Sequence, residues 1–129
     1  ARHQGGRRNM STDRRRRANR RGRGAETLAA GLLRLKGYRI LARDFRAPSG
    51  EIDIVAARGR TLAFVEVKTR ESRAAALEAV GFHQRGRIIR AAEHFLSQHA
   101  GLQGHDLRFD VIAIVPGRLP EHVTDAWRP

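Results

Sequence analysis

Residues 51–70, EIDIVAARGRTLAFVEVKTR, constrain this chain more than any other stretch. Two apolar runs, EIDIVAA and TLAFVEVKT, flank RGR. Such runs, rich in Val, Ile and Phe around a Gly-containing turn, read as a β-hairpin. Yet this hairpin carries Glu51, Asp53, Glu66 and Lys68. Side chains at i and i+2 of a strand point the same way. Glu51 and Asp53 are therefore expected on one face, with Ile52 and Ile54 opposite. Glu66 and Lys68 share a face as well, with Val65 and Val67 opposite. If the strands pair, four charged groups converge on one patch of sheet.

That convergence is costly. Two like charges ~4 Å apart repel by about 1 kcal/mol in water and by about 4 kcal/mol at an effective dielectric near 20. A divalent cation offsets the repulsion directly, because hard oxygen ligands suit Mg²⁺. Cross-strand Glu–Lys ion pairs on a wet sheet face are the alternative. Against it, the carboxylates are embedded in IDIVA and FVEVK, strands too apolar for a simple wet edge.

The remaining elements supply a frame. Residues 25–36, AETLAAGLLRLK, place Leu28, Leu32 and Leu35 at helical spacing, with Ala29 and Leu33 beside them, and Gly37 is a natural stop. YRILARDFR, 38–46, reads as a strand with Tyr38, Ile40, Ala42 and Asp44 on one side. APSG, 47–50, is a turn by composition. Residues 74–98 contain a long helix whose apolar face is Ile88, Ala91, Ala92, Phe95 and Leu96. LRFDVIAIVPG, 107–117, is a continuous apolar strand, as expected of one buried on both faces. The final stretch, RLPEHVTDAWRP, suits a brief edge strand or a turn. The order is α-β-β-β-α-β, so an α/β domain with a central mixed β-sheet flanked by helices is expected.

Charge divides the chain. Residues 1–24 hold ten arginines, one acid (Asp13) and almost nothing apolar, and so account for most of the +13 net charge. They are expected to form a disordered Arg-rich arm, with the folded domain over 25–129. Arg14, Arg15, Arg16 and Arg17 would attract a polyanion, and Arg85 and Arg87 would extend that footprint over the long helix. Contacts of this kind meet phosphates and carry no sequence information. The aromatics are scattered, without the interleaved stacking platform of single-strand binders. Recognition of the structure of a DNA duplex or branch is therefore the expectation. The absence of cysteine excludes a disulfide scaffold and a thiolate zinc site. No apolar run approaches the ~18 residues of a membrane span. The arm has neither the apolar core of a signal peptide nor the amphipathic face of a transit peptide. A cytoplasmic protein with no membrane partner is expected.

Of the 26 basic residues only Lys36 and Lys68 are lysines. A lysine presents a compact ammonium whose pKa can move, which a guanidinium cannot do. That gives Lys68, inside the acidic hairpin, a chemical interest.

Asp53 followed after a hairpin by Glu66-Val67-Lys68 resembles the D…ExK core of the PD-(D/E)xK nucleases. The longer pattern is more specific. GYRILARDFR, GEIDIVAARGRTLAFVEVKTR and RFDVIAI together closely resemble the bacterial YraN family of endonuclease-like proteins, itself similar to archaeal Holliday-junction resolvases. The resemblance covers about residues 25–127 and leaves out the arm. It implies a restriction-endonuclease-like core and a metal-dependent endodeoxyribonuclease acting on duplex or branched DNA. Asp53 and Glu66 would hold Mg²⁺ or Mn²⁺, helped by the Val67 carbonyl, and Glu26 on the first helix would complete the shell directly or through water. Lys68 would orient the attacking water or stabilise charge on the phosphate. Glu51 would be a supporting group at the cleft or else a turn residue. Gln84 stands where many family members carry Lys, which puts a second catalytic lysine in doubt; like Glu51, it would be a supporting group at the cleft. Asp110 is expected to fix the start of its strand rather than take part in chemistry. His83, His94, His99 and His105 lack metal-ligand spacing. Paired cuts in a junction would suit a homodimer. The alternative is a nucleic-acid-binding protein that keeps the nuclease fold and cleaves nothing.

Overall fold

The structure, a computed structural model, describes residues 24–129. The arm up to residue 23, with Arg14, Arg15, Arg16 and Arg17, lies outside the described residues. Residue 24, expected in the arm, already belongs to the first helix, α1, which spans 24–35. The helix ends where Gly37 takes φ 89°, with Tyr38 N–H donating to the Leu33 carbonyl and Gly37 N–H to that of Arg34. These two bonds form a Schellman cap, which only a residue at ease with positive φ closes without strain. The buried stripe of α1 differs from the leucine stripe expected. Ala29, Ala30 and Leu33 are fully buried, whereas Leu28 is 50% exposed and Leu35 88%. Small alanines let the helix backbone lie close against the sheet. Glu26, three and four residues before them, faces the sheet with them.

Five strands follow in spatial order β1-β2-β3-β4-β5. They are β1 (Arg39–Ala47), β2 (Gly50–Arg58), β3 (Thr61–Thr69), β4 (Asp106–Ile114) and β5 (Glu121–Trp127). All neighbours are antiparallel except β3 and β4. The parallel pair requires a crossover, which α2 (Arg73–Glu78) and α3 (Phe82–Ser97) provide. A single helix was expected over this region; there are two. Ser72 caps α2 by accepting a hydrogen bond from Ala75 N–H, and Gly81 precedes α3. The expected α-β-β-β-α-β order is therefore present, extended by α2 and by the edge strand β5.

The sheet is covered on both sides. On one, Val55, Leu62 and Phe64 pack against Ile88, Ala91 and Phe95 of α3. On the other, Ile54, Ala56, Ala63 and Val65 pack with Ala29, Ala30 and Leu33 of α1. β4 is buried over Phe109–Ala113, as its continuous apolar run predicts. The simple alternation expected along β1 does not hold. Its register shifts between Ile40 and Ala42, and Asp44 takes φ 50°. Leu41, Ala42 and Phe45 consequently all reach the α3-side core, while Ile40 reaches the other. Among the described residues no helix is long and apolar enough to cross a membrane.

Candidate active site

β2 and β3 pair from Arg58–Thr61 as far as Ile54–Val65, and no further. Beyond that point β2 stays with β1 down to Gly50, and β3 stays with β4 up to Thr69. The sheet forks at Asp53. Two backbone donors at the fork are met by side chains instead of by a ladder. Asp53 N–H donates to Glu66 Oε2 at 3.2 Å, and Val67 N–H donates to Asp53 Oδ2 at 2.8 Å. A buried donor left unpaired costs about 1–3 kcal/mol, so the two carboxylates hold the fork open and closed-shell at once. The alternation of β2 slips at the same place. Ile52 packs in the α3-side core and Ile54 in the α1-side core, which corrects the expectation that they share a face.

Glu66 is only 3% exposed. Its second oxygen, Oε1, accepts a hydrogen bond from Gln84 Nε2 at 3.0 Å. Gln84 lies one turn before Ile88 on the buried stripe of α3, so the helix itself aims the amide at the sheet. Gly50 permits this docking. A Cβ there would sit 2.3 Å from the Arg87 carbonyl oxygen, so β2 touches the backbone of α3 where only glycine fits.

The electrostatics follow from the burial. Burial pushes the Asp53 carboxyl up to about 6, and the charges of Glu26 and Glu51 add to it; the Val67 N–H and Lys68 pull the other way without cancelling it. Burial pushes Glu66 up to about 8, and the neighbouring Asp53 charge adds to it. The pair is short of positive charge, so ionising both carboxyls at once is costly.

The other expected site residues surround this pair. Lys68 is half-buried two residues beyond Glu66, on the same face of the regularly alternating β3, and its charge favours ionisation of both carboxyls. Glu26 is close enough for its charge to act on Asp53; its Oε1 accepts a hydrogen bond from Arg43 Nε at 3.2 Å. Arg43 also donates to Thr27 Oγ1 at 2.9 Å, which fixes the carboxylate's orientation. Glu51 is exposed on the rim, 3.8 Å from Arg46 Nε. The Val67 backbone contributes the N–H that Asp53 accepts. Among the described residues no group of three His, Asp or Glu side chains is arranged to hold a metal ion. Asp53 and Glu66 are a pair, with Glu26 as a neighbour engaged by Arg43. Arg87 is exposed on α3. Arg85 is turned toward the fold: its Nε donates to the Val80 carbonyl at 3.0 Å, and its guanidinium lies 5.4 Å over the Trp127 ring.

A second polar cluster lies on the α1 side of β4. Asp110 is fully buried and accepts hydrogen bonds at 2.8 Å from both Nε and Nη2 of Arg108. It also engages His122 Nε2 at 2.8 Å and accepts from Asp125 N–H at 2.9 Å. Burial alone would raise its pKa; the bonds from His122, Arg108 and Asp125 outweigh that and hold it below the usual carboxylate value. An ionised Asp110 only accepts, so His122 Nε2 carries the proton and Nδ1 accepts from Lys36 Nζ, 2.6 Å away. Arg108 Nη2 donates to the Tyr38 hydroxyl at 2.6 Å, and the Arg58 guanidinium covers the Tyr38 ring at 4.5 Å. The cluster ties β5 and the end of α1 to β4, on the face of the sheet opposite to Glu66, with Asp110 in register beside Val65. Nothing in the sequence marks His122. Gln84, expected near the cleft, meets Glu66 directly; the sequence shows Gly50 only as a turn residue.

Comparison with known proteins places this arrangement among relatives. The family model described as "Uncharacterised protein family UPF0102" matches residues 25–114. A UPF0102 protein of Parvibaculum lavamentivorans is 56% identical over 105 residues, covering 81% of this chain and 79% of that protein. A UPF0102 protein of Maricaulis maris is 50% identical over 115 residues, covering 89% and 91%. One of Agrobacterium fabrum is 47% identical over 116 residues, covering 90% and 95%. The match begins beside Glu26 and takes in β1 through β4, so it contains every residue of the fork.

Proposed function

This chain belongs to the UPF0102 family, and we propose that it is a metal-dependent endodeoxyribonuclease hydrolysing phosphodiester bonds in duplex or branched DNA. The observation that carries this reading is the buried Asp53–Glu66 pair at the fork, with Lys68 on the face of β3 that Glu66 occupies. Two adjacent carboxyls whose pKa values are both raised are short of positive charge. A hard divalent ion such as Mg²⁺ or Mn²⁺ fits that donor set. Asp53 and Glu66 would hold it, with the Val67 carbonyl and Glu26 completing the shell. Such an ion, when bound, polarises a phosphodiester and lowers the pKa of coordinated water.

The chain's own residues do the rest. Gln84 holds Glu66 in one rotamer by its bond to Oε1, leaving the direction of the carboxylate set before substrate arrives. Arg43 does the same for Glu26. Lys68 Nζ, as a positive charge, orients the attacking water or stabilises the charge that builds on the phosphate. Exposed arginines such as Arg87, with those of the arm, contact phosphates beyond the cleaved bond, and binding weakens as salt rises.

The test is cleavage of labelled four-way-junction, flap and linear duplex DNA with Mn²⁺, Mg²⁺ or chelator. Wild type is run beside Asp53→Ala and Lys68→Ala. Cutting that needs the metal and both side chains supports the nuclease. If no substrate is cut while DNA still binds, the chain is a nucleic-acid-binding protein that keeps the architecture without the chemistry.

A further inference from the structure

Lys36 is the second lysine of a chain that otherwise carries its positive charge on arginine. It stands directly after α1, is exposed, and takes no part in the fork. Its Nζ lies 2.6 Å from His122 Nδ1, and His122 Nε2 lies 2.8 Å from Asp110 Oδ2. The His122 side chain is only 2% exposed and that of Asp110 is fully buried, so the ring and the carboxylate behind it are shielded from water while the amine is reachable. Asp110 is fully engaged, by Arg108 and the Asp125 N–H as well as by His122. Glu121, next to His122 in the chain, pairs with Arg73 instead. Within this cluster Lys36 therefore has a neutral imidazole for a partner where an ammonium would ordinarily take a carboxylate. The charges around it are positive. Arg58 Nη1 donates to the Lys36 carbonyl at 3.0 Å, and Arg108 Nη2 bonds the hydroxyl of Tyr38, whose ring meets His122 edge-on with centroids 5.7 Å apart.

We infer that Lys36 is a reactive amine, acylated by a small anionic acyl donor of the acyl-phosphate class, with His122 as its general base. A nucleophile within hydrogen-bond reach of a base, itself oriented by a third group, is the arrangement of an activated nucleophile, and neighbouring cations activate a lysine further. An arginine could not serve here, because a guanidinium does not give up its proton. In the step, His122 Nδ1 accepts one proton from the Lys36 ammonium, and ionised Asp110 stabilises the imidazolium. The freed lone pair of Nζ attacks the carbonyl carbon and a C–N bond forms. The bond from that carbon to the phosphate oxygen breaks, and phosphate leaves with the electron pair and a second amine proton. His122 returns the first proton to water. The Arg58 guanidinium, beside Lys36, favours the donor's negative charge. The product is an uncharged secondary amide whose N–H still suits His122 Nδ1. This site lies on the sheet face opposite to Glu66, and the inference does not depend on the nuclease reading.

The test treats the full chain with limiting acetyl phosphate near neutral pH, with free Nα-acetyl-lysine in the same tube as the reference amine. Lys36 and Lys68, the only lysines, are followed separately by peptide mass spectrometry. In folded wild type Lys36 is expected to acetylate about tenfold or more faster than the reference, a modest share of what a general base supplies. Lys68, whose charge is held beside Asp53 and Glu66, should be slower than Lys36. His122→Gln leaves a polar side chain against Asp110 and should bring Lys36 down to the reference rate, with a thermal midpoint confirming that the variant is folded. Wild type unfolded in urea should show the same loss, which tests the relay without any substitution. The inference is overturned if Lys36 of folded wild type reacts no faster than the reference, or if its advantage survives in His122→Gln or in urea; the bond to His122 would then serve the fold alone. With neutral p-nitrophenyl acetate the advantage should shrink, and an equal advantage would overturn the assignment of an anionic donor.

Discussion

Glu66→Gln tests the electrostatics of the fork without any substrate. The change keeps the shape of the side chain and an oxygen for the Asp53 N–H, and it removes the charge. In the folded chain Glu66 holds its proton up to about 8, against 4.5 ordinarily, because it is buried beside Asp53. A group whose folded pKa is raised contributes stability that is present below the unfolded value and is lost as pH rises through the folded one. The metal-free wild type should therefore weaken steadily from about pH 5 to about pH 9. At about 1.4 kcal/mol per unit, the shift amounts to on the order of 5 kcal/mol at the alkaline end, shared with the repulsion from Asp53. Glu66→Gln escapes that loss. The assay is urea or thermal unfolding in chelator across this pH range. The two proteins should be within about 1 kcal/mol of each other at the acid end, and the variant several kcal/mol more stable at the alkaline end. Adding Mn²⁺ at alkaline pH should raise the midpoint of wild type and leave the variant where it is. Parallel pH curves for the two proteins would refute the reasoning, because Glu66 would then not be an uncompensated buried carboxylate.

Three further outcomes are expected. Gly50→Ala drives a Cβ to 2.3 Å from the Arg87 carbonyl oxygen; overpacking of this kind costs about 1–3 kcal/mol, so the thermal midpoint should fall by roughly 5 °C or more, and cleavage should fall further as Gln84 leaves Glu66. Asp110→Ala strands Arg108 and His122 and should cost about 3–5 kcal/mol in urea unfolding. Because the Asp110 pKa is depressed, its contribution in wild type is present above the ordinary 3.8 and disappears as pH falls, so acid melts of wild type and Asp110→Ala should converge. Lys68→Ala should reduce cleavage by about 10²-fold or more while a filter-binding measurement shows DNA affinity little changed.

The hairpin was legible because its signals agree. A Gly-containing turn and charges in apolar strands pointed to one patch, and Asp53, Glu66 and Lys68 are brought together there, although the alternation expected of β2 slips at Asp53. The long apolar run of β4 was equally plain, since a strand covered on both faces has no polar side to show. What escaped the sequence are features set by contact between elements. The leucines of α1 looked like its core stripe, but close approach to the sheet favours Ala29 and Ala30, and Leu28 and Leu35 turn outward. Along β1, a register shift and a positive φ at Asp44 redirect side chains in a way periodicity does not encode. Gly50 read as a turn residue, although its role is to admit the backbone of α3. The Asp110–His122–Lys36 cluster joins residues up to 86 positions apart, and no local pattern announces it.

The fork has one more consequence. Because Asp53 N–H and Val67 N–H are donated to the same two carboxylates that give the site its charge, each backbone proton senses its acceptor's ionisation. An amide bonded to an ionised carboxylate is deshielded and slow to exchange, and both properties relax when the acceptor takes up a proton or is drawn toward a cation. Two resonances in a nitrogen–proton correlation spectrum would thus report occupancy of the site residue by residue, in the resting protein, with neither dye nor DNA present.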